Sequence, residues 1–213
     1  MPRRHPPRVN QNSRKENQPM LRIIGGEWRS RKLPFPEIEG LRPTPDRVRE
    51  TLFNWLQNIT PGARCLDLFA GSGALGLEAL SRGADSVTFI DNAHEATRQL
   101  RDNLNLLKSQ NGEVITSAAL TWLEARQTDT EARYDLVFLD PPFRKDMVPL
   151  ICELLEKRNL LSDNAVIYIE AESELSLLTV PNNWQESRSK TAGQVTYRLF
   201  FRSPEDQTET GSS

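Results

Sequence analysis

Between Pro61-Gly62 and residue 170 the chain alternates short apolar runs with helical patterns, and no other feature restricts its fold so strongly. Residues 64–69, 85–91, 113–117, 134–139 and 165–170 read as strands. Helical periodicity over 73–82, 93–108 and 145–157, with a shorter helix carrying Trp122 and Leu123, fills the intervals. Strands separated by helices of this length pair in parallel through right-handed crossovers, so the class is α/β. Two further β-like runs, 184–189 and 194–202, are joined by a turn near Ala192-Gly193 and make an antiparallel edge. A chain of 213 residues can bury such a sheet without disulfides or metals. Cys65 and Cys152 lie inside apolar runs and read as buried free thiols.

The first sixty residues follow a different logic. Residues 1–20 are rich in Pro, Asn, Gln and Arg with little to bury, and read as a disordered basic tail. Residues 204–213 are polar and read the same way. Leu21 to Phe35 suggests a hairpin turning at Gly25-Gly26, after which Pro34, Pro36, Gly40 and Pro43 keep the chain extended. Thr44 or Asp46 is then expected to cap a helix reaching about Gln57. Val48, Leu52, Phe53, Trp55 and Leu56 form its apolar face, with Arg47, Arg49 and Glu50 on the polar one. The organisation expected is a hairpin and helix over 21–60, facing a nucleic acid, ahead of a catalytic domain over 61–203.

Charge supports that division. The net charge is −2, but residues 1–49 carry 12 Lys/Arg against 5 Asp/Glu, and the remainder 15 against 24. A basic arm on an acidic body suits phosphates. No apolar run reaches membrane-spanning length, and no apolar stretch follows the basic residues 1–10, so a cytoplasmic protein without a signal peptide is expected.

Gly71, Gly73 and Gly76, after the first strand and opening a helix, satisfy the G-x-G-x-x-G pattern. The pattern alone does not choose a cofactor, because several exploit close backbone approach and free helix N–H groups. Asp67, four residues before Gly71, does discriminate. Its carboxylate would oppose a dinucleotide pyrophosphate but suits the ammonium of S-adenosylmethionine. Asp91 ends the next strand, where a carboxylate can hold both ribose hydroxyls of either cofactor.

The fourth strand ends in Asp140-Pro141-Pro142-Phe143. Two prolines stiffen this turn and remove two donors, leaving the Asp140 carboxylate and the Asp140 and Pro141 carbonyls as a rigid set of acceptors. Such a set fits a planar NH₂ group. Bonds to its hydrogens localise the nitrogen lone pair and aim it at a methyl carbon, so positioning and electrostatics carry the catalysis. Phe143 offers a face on which a base can stack, and Asp140, Pro141 and Phe143 are the expected catalytic residues. No metal constellation competes: the only histidines are His5 and His94.

With these motifs placed, the chain resembles the bacterial 16S rRNA (guanine-N2)-methyltransferase family RsmD. The matching strings are Arg22 to Arg29, Leu41 to Trp55, Asp67 to Arg82, Asp140 to Phe143 and Ala192 to Leu199. The resemblance implies a class I methyltransferase, a Rossmann-like seven-stranded and mostly parallel sheet with an antiparallel terminal hairpin. It implies S-adenosylmethionine as cofactor and one guanine of 16S rRNA, within the small ribosomal subunit or an assembly intermediate, as substrate. A monomer without metal is expected. Carried over by motif, Asp67, Gly71 and Gly73 contact the methionine part and Asp91 the ribose. Ala70, Ser72, Asn92, Ala118 and Ala119 complete the cofactor set. Arg22, Arg29, Arg31, Lys32, Arg42, Arg47 and Arg49 are the expected RNA contacts. One departure stands out: related sequences often have Asn or Asp after the third strand, where this chain reads Ser117-Ala118-Ala119-Leu120. Adenine recognition must then use backbone groups, Ser117 or looser packing.

The tetrapeptide alone leaves adenine-N6 methylation open, and only the longer strings favour guanine. Glutamine methyltransferases read Asn-Pro-Pro-Tyr and differ at both ends. An NAD(P)-dependent oxidoreductase is the alternative from another class, opposed by Asp67 and by the absence of a hydride-transfer site.

Overall fold

The computed structural model describes residues 18–38, 43–127, 133–142, 147–173 and 179–204. The tails read as disordered therefore lie almost wholly outside the described residues, as do Arg42 and Phe143. The N-terminal elements are β1 (Met20–Arg22), β2 (Lys32–Pro34) and α1 (Asp46–Trp55). The alternating region follows as β3 (Arg64–Asp67), α2 (Ala74–Ser81), β4 (Ser86–Asp91), α3 (His94–Leu107), β5 (Gly112–Thr116), α4 (Ala119–Glu124), β6 (Tyr134–Leu139), α5 (Val148–Lys157) and β7 (Leu161–Glu172). The hairpin β8 (Trp184–Ala192) and β9 (Val195–Arg202) closes the chain.

One seven-stranded sheet has the order β5-β4-β3-β6-β7-β9-β8. The first five of these strands are parallel, and β9 runs antiparallel between β7 and β8. Two layers of helix cover it, and the strands divide their side chains between them with a period of two. Cys65, Val87, Phe89, Leu136, Phe138, Val166 and Tyr168 face the layer built from α1, α2, α3 and the N-terminal hairpin. Leu66, Ile90, Val137, Leu139, Ile167 and Ile169 face α4 and α5. Both faces are dry, which is why these strands read as continuous apolar runs. Among the described residues, no helix is long and apolar enough to cross a membrane.

An aromatic chain seats α1. Phe53 packs on Phe138 with ring centroids 6.1 Å apart, Tyr168 continues from Phe138 to Tyr197, and Trp55 meets Tyr197 at 5.8 Å. Tilted and edge-on pairs of this kind add about 0.5–1.5 kcal/mol each beyond their buried area.

The N-terminal hairpin differs from the expected tight turn. Its strands pair from Met20↔Pro34 to Arg22↔Lys32, and residues 23–31 form a long loop instead of a two-residue turn at Gly25-Gly26. The glycines serve docking. The Ile24 and Gly25 amides each donate to Glu78 at 2.8 Å, the Glu27 amide donates to the Ser81 carbonyl at 2.7 Å, and the Ser81 hydroxyl donates to the Gly25 carbonyl at 2.6 Å. Gly26 has φ +74° and sits so close to Ser81 that any Cβ would collide with that carbonyl. The helix cap also differs. Pro45 occupies the N-cap with no side-chain hydrogen bond, and neither Thr44 nor Asp46 caps. Proline at the cap leaves this end without a side-chain acceptor for its free amides, while Asp46 turns to Arg22 and Arg49.

Candidate active site

A cleft of about 780 Å³ opens at the carboxyl edge of β3, β4, β6 and β7, where an open α/β sheet places its ligands. Asp67, Ala70, Gly71, Ser72, Asp91, Asn92, Ala118, Ala119, Asp140 and Pro141 all line it. Gly73 does not. It adopts φ +79° at the start of α2, packed against Leu77 and Leu100, where it lets the loop turn tightly against α3.

At the β3 end, Asp67 is buried and one carboxyl oxygen accepts the Gly76 amide at 3.1 Å. Burial, assisted by Asp91, pushes its pKa up to about 7 against the opposing effect of the Gly76 and Phe69 amides. Asp91 holds the Gly71 and Ala93 amides, each at 2.8 Å, one on each carboxyl oxygen. Each oxygen keeps a second lone pair for a hydroxyl. The Gly71-to-Gly73 loop is thereby tied to the end of β4. A buried carboxyl and a hydrogen-bonded carboxylate in one cleft fit the ammonium and the ribose diol of S-adenosylmethionine. The same Asp67 is badly matched to a pyrophosphate.

At the β6 end stands Asp140, with Pro141 buried beside it. Burial, then the charges of Glu170 and Asp67, hold the Asp140 carboxyl well above the usual carboxylate range. Glu170 was not among the expected site residues; it lies near the carboxyl end of β7, beside the end of β6 that leads into Asp140. It is buried, lines the same cleft, and bonds the Tyr168 hydroxyl at 2.7 Å. The far wall comes from the N-terminal segment through Ile38, Pro43, Thr44 and Pro45.

The sequence pattern of the family described as Conserved hypothetical protein 95 matches residues 21–201. An Escherichia coli K12 protein named Ribosomal RNA small subunit methyltransferase D is 50% identical over 189 residues, covering 89% of this chain and 93% of the relative. This chain belongs to the small subunit methyltransferase D family. A Haemophilus influenzae member of the same name is 48% identical over 84% of this chain and 93% of its own. The solved structure of a putative methyltransferase, yhhF, from Escherichia coli superposes with a TM-score of 0.80 at 49% identity, covering 87% of this chain and 99% of that one. The fold is that of the class I methyltransferases.

The basic residues of this family member fall into separate groups. Arg49, expected on RNA, is 1% exposed. Its guanidinium donates to Asp46 at 2.6 Å, to the Arg22 carbonyl at 2.9 Å, to the Thr44 carbonyl at 3.1 Å and to Glu78 at 3.4 Å. No donor face is left for a phosphate, so Arg49 is a structural residue. Its partner Glu78, 0% exposed, also binds Arg82 at 2.7 Å. Sequence reasoning passed over Glu78; a carboxylate within the apolar run Ala74 to Ser81 was the available signal. Arg22 is exposed but paired with Asp46 at 2.8 Å. Arg29, Arg31 and Lys32 are exposed, yet their loop docks on the last turn of α2, and Arg31 reaches the Leu106 carbonyl at the end of α3. The cleft lies at the opposite end of α3, about 20 Å away at 1.5 Å per residue. Arg47 is exposed on α1 nearer the cleft. It is joined by two residues the sequence reading overlooked: Arg188, over the Trp55 ring at 6.0 Å, and Lys190, paired with Tyr197 across the terminal hairpin.

Proposed function

We propose that this chain transfers a methyl group from S-adenosylmethionine to the exocyclic N2 of a guanine in 16S rRNA, in the small ribosomal subunit or an assembly intermediate, in the bacterial cytoplasm. The observation that carries the reading is the convergence of Asp140-Pro141 and the Asp67–Gly71–Asp91 cradle on one cleft. The names of the 50% and 48% identical relatives support the ribosomal substrate.

When bound, S-adenosylmethionine supplies an electrophilic methyl carbon whose bond to sulfur breaks, with the electron pair staying on sulfur. Asp67 would hold the ammonium and Asp91 the ribose, in the cleft that Asp140 also lines. The Asp140 carboxylate and the Pro141 carbonyl accept the two amino hydrogens, so the nitrogen lone pair points along the line of attack. As the nitrogen–carbon bond forms, the nitrogen sheds one hydrogen as a proton, and Asp140 is placed to take it. Its raised pKa suits that role. Phe143 is proposed to stack on the base, and Arg47, with the β8 cations, to hold the phosphates.

The test is methylation of small-subunit particles with labelled donor, followed by nucleoside analysis. N2-methylguanosine is expected; N6-methyladenosine as the product sinks the reading. Asp140→Ala should bind cofactor as the wild type does and lose methyl transfer, and near-normal turnover in that variant removes the mechanism.

A further inference from the structure

Asp140 and Glu170 stand side by side. Leu139 on β6 pairs with Ile169 on β7 in parallel register, which makes Asp140 and Glu170 the next pair at the carboxyl edge. Alternation puts both on the sheet face that carries Phe138 and Tyr168. Both line the cleft. Methyl transfer needs one carboxylate beside the reacting nitrogen; the second has no part in the step described above.

Glu170 is held rigidly. The Tyr168 hydroxyl donates to one of its oxygens at 2.7 Å, and the Thr44 side chain bonds to it from the N-terminal wall. A carboxylate has about four lone-pair sites, so these hydroxyl bonds leave capacity for an N–H donor from a ligand. Guanine presents such a donor: its N1–H lies on the same edge as the N2 amino group. Adenine presents the opposite polarity, an N1 lone pair beside its N6 amino group.

Resting on the guanine reading, we infer that Glu170 accepts the N1–H of the target guanine while Asp140 engages its N2 amino group, so that Glu170 excludes bases with an acceptor at N1. Ionised Glu170 would face the lone pair of such a base across a buried contact and could bond it only by first taking up a proton, whereas the N1–H of guanine needs none. Burial holds both carboxyls above their usual range, and the charge of Glu170 adds to the effect on Asp140. Two N–H donors from guanine relieve the crowding, whereas an acceptor at N1 does not.

The experiment uses small-subunit particles carrying 2-aminopurine in place of the target guanine. This base keeps the reacting amino group at C2 but has a bare acceptor at N1. Wild-type enzyme should prefer guanine over 2-aminopurine in kcat/KM by about 10- to 100-fold, the range of one well-placed polar base contact. In Glu170→Gln, whose carboxamide can turn its NH₂ toward N1, the preference should fall toward unity. A residue that only braces Thr44 and Tyr168 would slow both substrates alike and leave the ratio unchanged, and that result overturns the inference. So does a wild-type enzyme that methylates both bases equally, whether or not the variant folds. Guanine methylation with an unchanged ratio overturns this inference alone, while no transfer to guanine overturns the functional reading with it.

Discussion

The Asp67 proton makes cofactor binding depend on pH in a calculable way. Its carboxyl titrates at about 7 in the folded chain, against 3.8 for an unperturbed aspartate. The folded state therefore favours the protonated form. This group's stabilisation is complete below about pH 3.8 and is lost as pH rises toward 7, by about 4 kcal/mol in all. An ammonium placed beside Asp67 reverses the preference, since it needs the carboxylate. Apparent affinity then scales as the ionised fraction: the weakening factor is about 11 at pH 6 and about 2 at pH 7, roughly fivefold between them. Isothermal titration with S-adenosylhomocysteine across pH 5.5–7.5, in buffers of different ionisation enthalpy, should show this slope and the release of about half a proton at pH 7. Asp67→Asn should abolish the proton release. So should 5′-methylthioadenosine as ligand, which keeps the adenosine but has no ammonium. A pH slope equally steep for 5′-methylthioadenosine would refute the assignment of Asp67 to the ammonium.

Three further outcomes follow from the basic residues. Arg49→Ala strips a buried partner from Asp46 and from the Thr44 and Arg22 carbonyls, while Glu78 keeps Arg82 and two amides, so it should cost about 1–3 kcal/mol in denaturant unfolding and leave the salt dependence of RNA binding unchanged. Arg188→Ala with Lys190→Ala should reduce the slope of log affinity against log salt by about 0.7–0.9 for each phosphate contact removed. The same measurement on Arg29→Ala with Arg31→Ala should show a smaller change, because that loop lies at the end of the molecule remote from the cleft.

The central strands β3, β6 and β7 were legible because they are largely buried on both faces and end in punctuation, so β6 appears at the residues its apolar run predicts, 134–139. Strand ends carrying an isolated carboxylate marked Asp67, Asp91 and Asp140 correctly as cleft residues. What the sequence hid was partnership across long separations. Arg49 looks like an exposed cation on a helix until Glu78, 29 residues later, is known to lie beneath it. Gly25-Gly26 looks like a hairpin turn because local pattern cannot reveal that Ser81 presses against it. Glu170 was hidden differently. It reads as the last residue of a strand, and only the parallel register of β6 and β7 makes it the neighbour of Asp140.

The bonds from Ile24, Gly25 and Trp28 to Glu78 and Ser81 span 53 or 54 residues of chain. That separation imposes an order on synthesis. A nascent chain has made its hairpin sequence well before that seat exists. The hairpin loop cannot dock until α2 has left the ribosome. Until then the loop's backbone donors face water, and Arg49 has no buried carboxylate to meet. An element made early thus waits for a seat made later.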